Sequence, residues 1–237
     1  MESFKNATRR NNGLLAEAER SLLVWIAHRL PHAINSDHLT GLGFGAMLMV
    51  GVSYAVSRWW DAALLWVVFW LVLNWFGDSL DGTLARVRDQ QRPRYGFYVD
   101  HILDSFGAAF VLLGLACSGR MTPIVAAVVL VAYFLLSIEI YLATYCVGRF
   151  EMSYWGLGPT ELRIVLAAGT LMLLMKPMVT IWGRSLPLFD VGGLVGAAGL
   201  IVTVVVTTFG HIRILYAAEP VSSADPLLSV SSCRGGA

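Results

Sequence analysis

The sequence predicts an all-α, polytopic membrane protein with six transmembrane helices and an N-terminal interfacial amphipathic helix. Three observations carry that expectation. Of 237 residues, 57% are hydrophobic and only 14% charged, against roughly 25% charged in an ordinary soluble domain. Mean hydropathy is +0.65, more apolar surface than one water-soluble core of this size hides. Six stretches reach the length of about 20 apolar residues that a helix needs to cross hydrocarbon, and polar punctuation separates them.

The elements follow in chain order. Within residues 14–30, Leu15, Leu22, Trp25 and Ile26 recur near the helical period while Glu17, Glu19, Arg20 and Arg29 fall mostly elsewhere, as in a helix lying on a membrane surface. A cleaved signal peptide is disfavoured, because no uninterrupted apolar run precedes the A-x-A at Ala16–Ala18. Spans are expected at residues 39–57, 62–86, 96–118, 123–147, 161–182 and 188–211. Residues 217–237, rich in Ser, Pro and Gly, read as a flexible tail. The chain thus divides into a cytoplasmic N-terminus (1–38), a six-helix domain (39–216) and the tail. With the N-terminus in the cytosol, only Arg58, Arg120, Lys176 and Arg184 of the seventeen lysines and arginines fall on the outer side, the asymmetry that sets orientation.

A net charge of +1 shows no basic excess that would neutralise a nucleic-acid backbone, so nucleic acid is not an expected partner. Cys117, Cys146 and Cys233 are odd in number and far apart, which suggests neither a disulfide framework nor a thiolate metal site; they read as packing or tail residues.

The chemistry concentrates between Asp78 and Phe106. On a helix, Asp78, Asp81, Gly82 and Ala85 form one stripe with Arg86 beside it. After a short Arg- and Pro-containing connection, Gly96, Asp100 and Asp104 form another stripe on the next helix. A short connection predicts antiparallel neighbours, so four carboxylates converge near the cytoplasmic end of a helix pair. Each unpaired carboxylate in hydrocarbon costs about 2.5–3.5 kcal/mol, and four together on the order of 10 kcal/mol. Hard divalent ions, Mg²⁺, Mn²⁺ or Ca²⁺, offset that cost best, and the absence of His and Cys from the stripes argues against zinc. Small Gly82 and Ala85 let a ligand approach the backbone, and Arg86, Arg88, Arg92 and Arg94 supply positive charge at the mouth. A pyrophosphate bridged by metal ions fits that description; simple pairing of the carboxylates with the arginines leaves the small residues unexplained.

The residues D-S-L-D-G-T-L-A-R, followed by nine residues and G-F-Y-V-D-H-I-L-D, match the D-x-x-D-G-x-x-A-R…G-x-x-x-D-x-x-x-D signature. On these, the chain resembles the CDP-alcohol phosphatidyltransferase family. The middle segment is slightly longer than usual, a difference confined to a loop; the six spans, the amphipathic lead-in and the opening INSDHLTGLGF extend the likeness over nearly the whole chain except the tail. The resemblance implies a six-helix membrane enzyme of phospholipid biosynthesis, usually a homodimer, that transfers a substituted phosphate from a CDP-linked donor to an alcohol and releases CMP. By position it implies that Asp78, Asp81, Asp100 and Asp104 bind metal, Mg²⁺ or Mn²⁺ and two ions, with Asp104 also the general base. Asp78, Gly82, Ala85, Arg86 and Gly96 would hold the CDP moiety.

The acceptor is less legible. The segment DHILDS and the stretch Tyr141–Arg163 resemble the choline and ethanolamine phosphotransferase branch, which would act on diacylglycerol, whereas the chain length resembles bacterial enzymes that use CDP-diacylglycerol and so implies a bacterial inner membrane with the site facing the cytosol. Candidate acceptor-binding residues are His101, Glu139, Tyr145, Arg149, Glu161 and Arg163. Glu139 lies within a span, where a carboxylate is by default functional; its structural alternative is a hydrogen bond to Tyr133 or Tyr141. Arg149 and Arg163 could recognise an acceptor phosphate or merely set topology, and His101 could simply be hydrogen-bonded beside the cluster. Gly41, Gly43 and Gly45 open a membrane helix and do not read as a dinucleotide loop, Gly192 and Gly196 read as intramolecular packing before dimer contact, and Trp59, Trp60, Trp66, Trp70 and Trp75 as belt and packing residues. A divalent-cation transporter is the competing class, since intramembrane carboxylates also line ion paths; it leaves Gly82 and Arg86 unexplained.

Overall fold

A computed structural model of the chain describes residues 8–10, 16–151 and 158–219. Among these it has seven helices: α1 (Ala16–Ala27), α2 (Ser36–Val56), α3 (Ala63–Val87), α4 (Pro93–Ser118), α5 (Pro123–Val147), α6 (Pro159–Met175) and α7 (Leu188–Ala218). Two short strand pairs accompany them. Strand β1 (Thr8–Arg10) pairs in parallel with β2 (Arg149–Glu151), and β3 (Met178–Ile181) pairs antiparallel with β4 (Arg184–Pro187). The chain is therefore an all-α, multi-pass membrane protein in which α2, α3, α4, α5 and α7 are long and apolar enough to span a bilayer.

The fifth expected span is corrected. It was expected to continue to Trp182, but α6 stops at Met175 after 17 residues. Pro177 excludes its predecessor from helical geometry, and Lys176 is accordingly extended at φ −144°, ψ 84°. The chain then turns through Trp182 and Gly183, both at positive φ, which suits a two-residue hairpin between Ile181 and Arg184. Elsewhere local chemistry sets the ends as expected. Pro93, Pro123 and Pro159 each open a helix, and left-handed Gly119 and Gly148 terminate α4 and α5.

Helix α2 is the centre of the bundle. It packs against both α3 and α4, while α3 and α4 scarcely touch one another, so the expected antiparallel neighbours are splayed apart. Glycines explain why. A Cβ on Gly77 of α3 would lie 2.6 Å from the backbone nitrogen of Gly43, and one on Gly114 of α4 would lie 2.1 Å from the carbonyl oxygen of Gly51. Close approach of α3 and α4 to α2 thus occurs at different heights and on different faces, leaving a cleft between them.

Below the cleft, Val50, Tyr54, Leu64, Val67, Leu71, Val111, Leu115 and Leu173 form the buried core. There the Tyr54 hydroxyl meets Thr170 Oγ1 at 2.5 Å. A second cluster, Leu23 and Ala27 with Leu39, Leu80 and Leu84, docks α1 on the bundle, while Leu22 and Trp25 on α1 stay exposed. This is the two-sided pattern of an interfacial helix.

Outside the bundle centre, α5 packs on α4 and α7. Gly193 of α7, not Gly192 or Gly196, meets Met121, Val125 and Val129; the expected intramolecular role of Gly192 and Gly196 is corrected, since both face open space. Cys117 and Cys146 are unpaired and exposed, not packed in the core.

Candidate active site

A narrow cleft open to solvent lies between α3 and α4, with α2 as its back wall. Its lining comes from Thr40, Gly43, Phe44 and Met47 of α2, Asn74, Asp78 and Asp81 of α3, and Asp100, Leu103 and Asp104 of α4. Carboxylate oxygens of Asp78, Asp100 and Asp104 all lie within 4.8 Å of one another. Two helices separated by five loop residues thus deliver the two acidic stripes to one point.

Asp81 stands at the edge of this group. Its Oδ2 accepts a 2.6 Å hydrogen bond from Thr40 Oγ1, and its carbonyl accepts one of 3.0 Å from Ser36 Oγ. Ser36, Thr40, Gly43 and Met47 lie along one face of α2, at helical offsets 0, 4, 7 and 11. That face is the template on which the acidic helices rest. Its spacing was visible in the sequence, but only the packing shows that it meets Asp81.

Arg163 enters from α6. Its guanidinium forms an ion pair with Asp78 Oδ2, and its Nε donates to Asn74 Oδ1 at 2.7 Å. Buried Asn74 in turn donates from Nδ2 to the Gly43 carbonyl at 2.9 Å. Asn74 is a site residue that motif reasoning missed, although it lies four residues before Asp78 and extends the same stripe.

The remaining motif residues surround the cleft. A Cβ at Gly96 would meet nothing within 4 Å, and one at Gly82 only Arg86 Nη1 at 3.6 Å, so both positions have room for a ligand. Ala85 is half-buried. Arg86 donates to Thr83 Oγ1 at 3.0 Å. Two of the expected mouth arginines are used in the fold instead: Arg88 donates to the carbonyls of Leu30, Pro31 and Ile34, and Arg92 pairs with Asp37.

The acceptor candidates scatter. His101 Nδ1 bonds the Phe97 carbonyl at 2.7 Å, and its ring stacks on Phe97 at 4.1 Å and meets Tyr141 edge-on at 5.0 Å. Glu139 pairs with neither tyrosine; its Oε1 meets His211 Nδ1 of α7 at 2.6 Å. Glu161 accepts from the backbone N–H of Gly158 at 2.9 Å and so caps α6. Tyr145 is 90% exposed, and the side chain of Arg149 lies outside the described residues. Of the six, Arg163 pairs with Asp78 and His101 Nδ1 lies 3.8 Å from Asp100 Oδ2, so these two reach the acidic cluster.

A family model described as CDP-alcohol phosphatidyltransferase matches residues 35–209, which include α2, α3, α4 and the whole cleft. The chain belongs to the CDP-alcohol phosphatidyltransferase family. It is accordingly an enzyme of that class, a transferase of phospholipid biosynthesis. The crystal structure of Mycobacterium tuberculosis phosphatidylinositol phosphate synthase with CDP-DAG bound is similar in fold, with a TM-score of 0.58 at 20% identity over 83% of this chain and 94% of that one. No curated protein matches the chain significantly in sequence. This phosphatidyltransferase carries the acidic cluster expected of a metal-dependent family, and three converging carboxylates are the hard oxygen donors that Mg²⁺ or Mn²⁺ prefers.

Proposed function

We propose that the protein transfers a substituted phosphate from CDP-diacylglycerol to an alcohol hydroxyl, with release of CMP, in a cleft facing the cytosol of a bacterial inner membrane. The observation that carries this reading is the convergence of Asp78, Asp100 and Asp104 within 4.8 Å, with Arg163 paired to Asp78 beside them. The relative solved with CDP-DAG bound, similar in fold over most of both chains, supports the donor, and the Lys and Arg asymmetry supports the orientation.

Asp78, Asp81, Asp100 and Asp104 would hold two divalent ions, Mg²⁺ or Mn²⁺. When bound, the ions supply charge neutralisation on the pyrophosphate and on departing CMP. Gly82, Ala85 and Gly96 leave room for the cytidine diphosphate, with Asp78 and Arg86 as its polar contacts. Asp104, exposed to the cleft, takes the acceptor proton as general base. Arg163, paired with Asp78, would meet an anionic acceptor, with His101 beside Asp100; Glu139, Tyr145, Arg149 and Glu161 belong to the same acceptor reading less directly. The homodimer implied by the family resemblance belongs to the same reading.

A second reading takes CDP-choline or CDP-ethanolamine as donor and diacylglycerol as acceptor. It is favoured by the likeness of Tyr141–Arg163 to that branch. A divalent-cation conduit is disfavoured, because beyond the cleft the bundle is closed by Val50, Leu64, Val67, Leu71 and Leu115.

The test is CMP release by purified protein with Mg²⁺ or Mn²⁺, crossing CDP-diacylglycerol, CDP-ethanolamine and CDP-choline against inositol phosphate, glycerol phosphate, serine and diacylglycerol. One productive pair, abolished by EDTA and restored by metal, is the expected result. Metal binding without CMP release from any pair would overturn this choice of donor and acceptor and leave an untested acceptor or a cation-handling role.

A further inference from the structure

We propose that Glu19, on the interfacial helix α1, is a positioning residue that ties α3 to α6 and so holds Arg163 against Asp78. Glu19 Oε1 accepts three hydrogen bonds: from Trp75 Nε1 at 2.7 Å, Ser79 Oγ at 3.0 Å and Thr160 Oγ1 at 2.9 Å. Trp75 and Ser79 flank Asp78 on α3. Thr160 lies in the first turn of α6, three residues before Arg163. One carboxylate oxygen is therefore shared by the two helices whose side chains meet in the cleft.

The arrangement has a mechanical consequence. Helix α6 is short, its N-terminal turn follows the segment 152–157, and Arg163 must reach across to Asp78 and Asn74. Glu161 caps that turn from within α6. Glu19 supplies an attachment from outside, and α1 itself is fixed by Leu23 and Ala27 packed with Leu39, Leu80 and Leu84. A carboxylate serves because a single anionic oxygen accepts several charge-assisted bonds, and it complements the positive end of α6. Loss of the Thr160 bond frees the first turn of α6, and a displacement of about 1 Å at a positioned group can cost about 100-fold in rate.

The proposal rests on the reading of the cleft as the phosphotransfer site, and the experiment separates the two. Turnover and CDP-donor affinity are measured for wild type, Glu19→Ala, Glu19→Gln and Thr160→Val, with spin labels at exposed positions Glu17 and Leu162 reporting the distance between α1 and α6. Glu19→Ala is expected to lower kcat about 10- to 100-fold, with donor affinity retained and the distance distribution broadened. Glu19→Gln keeps an acceptor oxygen and is expected to retain kcat within about threefold of wild type. Thr160→Val removes only the α6 branch and is expected to reproduce the kcat loss even if Glu19→Ala folds poorly. Wild-type turnover and an unchanged distance in Thr160→Val overturn the proposal, as does a Glu19→Gln variant as impaired as Glu19→Ala. If the wild-type chain releases no CMP, the phosphotransfer reading fails, and the spin-label distances alone then decide whether Glu19 ties α1 to α6.

Discussion

The carboxylates of the α3–α4 cleft and those of α5 and α7 all sit in or at the ends of apolar helices, but they find different partners. On α7, Asp190 is buried and accepts from the Thr122 backbone N–H at 2.6 Å and from the Thr122 hydroxyl, which caps α5 from a neighbouring helix. Glu139 on α5 is met at Oε1 by His211 on α7, while its buried Oε2 has no hydrogen-bond partner among the described residues. In the cleft, Asp78, Asp100 and Asp104 converge on one another instead, with Arg163 as the cation among them. In the first region single neighbours meet single carboxylates; in the cleft packing brings carboxylates to each other, a set of hard oxygens that suits a divalent cation. Residue type and depth do not separate the two cases.

The largest expected effect tests the cleft itself. Asp104→Asn should lower kcat by about 10²- to 10⁴-fold, the usual contribution of a general base, while CDP-donor binding measured by calorimetry persists. If Asp190→Asn lowered kcat equally at unchanged stability, the distinction between the two regions would collapse.

Next in size is the splaying that opens the cleft. Gly77→Ala brings a Cβ to 2.6 Å from both the Gly43 nitrogen and the Leu39 carbonyl oxygen, so destabilisation of about 1–3 kcal/mol is expected in detergent unfolding, with turnover lost alongside. Gly96→Ala, which meets nothing within 4 Å, should leave stability unchanged and weaken donor binding. Equal unfolding midpoints for the two variants would mean that α2 and α3 are not held in this close approach.

Asp190→Ala should be milder. Loss of a cap costs about 0.5–2 kcal/mol, so a lower thermal midpoint is expected, with turnover per folded molecule unchanged. The smallest effect belongs to Arg92→Ala. Its pair with Asp37 is about half exposed on both sides, and a pair of that kind contributes about 0–1 kcal/mol. A large loss of donor affinity in that variant would show that Arg92 serves the mouth of the cleft after all.

Much of the molecule was legible because its causes are local. The membrane class follows from composition, the spans from runs of apolar residues, and the helix ends from prolines and glycines next to them. The acidic stripes were legible for the same reason, since Asp78 and Asp81, or Asp100 and Asp104, are one turn apart on a single helix. The end of α6 at Met175 was also available in Pro177, but the apolar residues up to Trp182 outweighed it in the hydropathy pattern.

Partnerships across the bundle were not legible. Nothing local says that Glu139 meets His211, 72 residues away, that Arg163 meets Asp78, or that Glu19 accepts from Trp75, Ser79 and Thr160. Nor does a five-residue loop between α3 and α4 reveal that α2 stands behind both. The sequence by itself determined the solvent in which this protein folds, the helices it forms and the residue types of its cleft, because each depends on neighbours within a turn or a span. Only the tertiary structure decided which carboxylates are consumed by the fold and which are left to face one another, because that depends on where glycines let backbones meet.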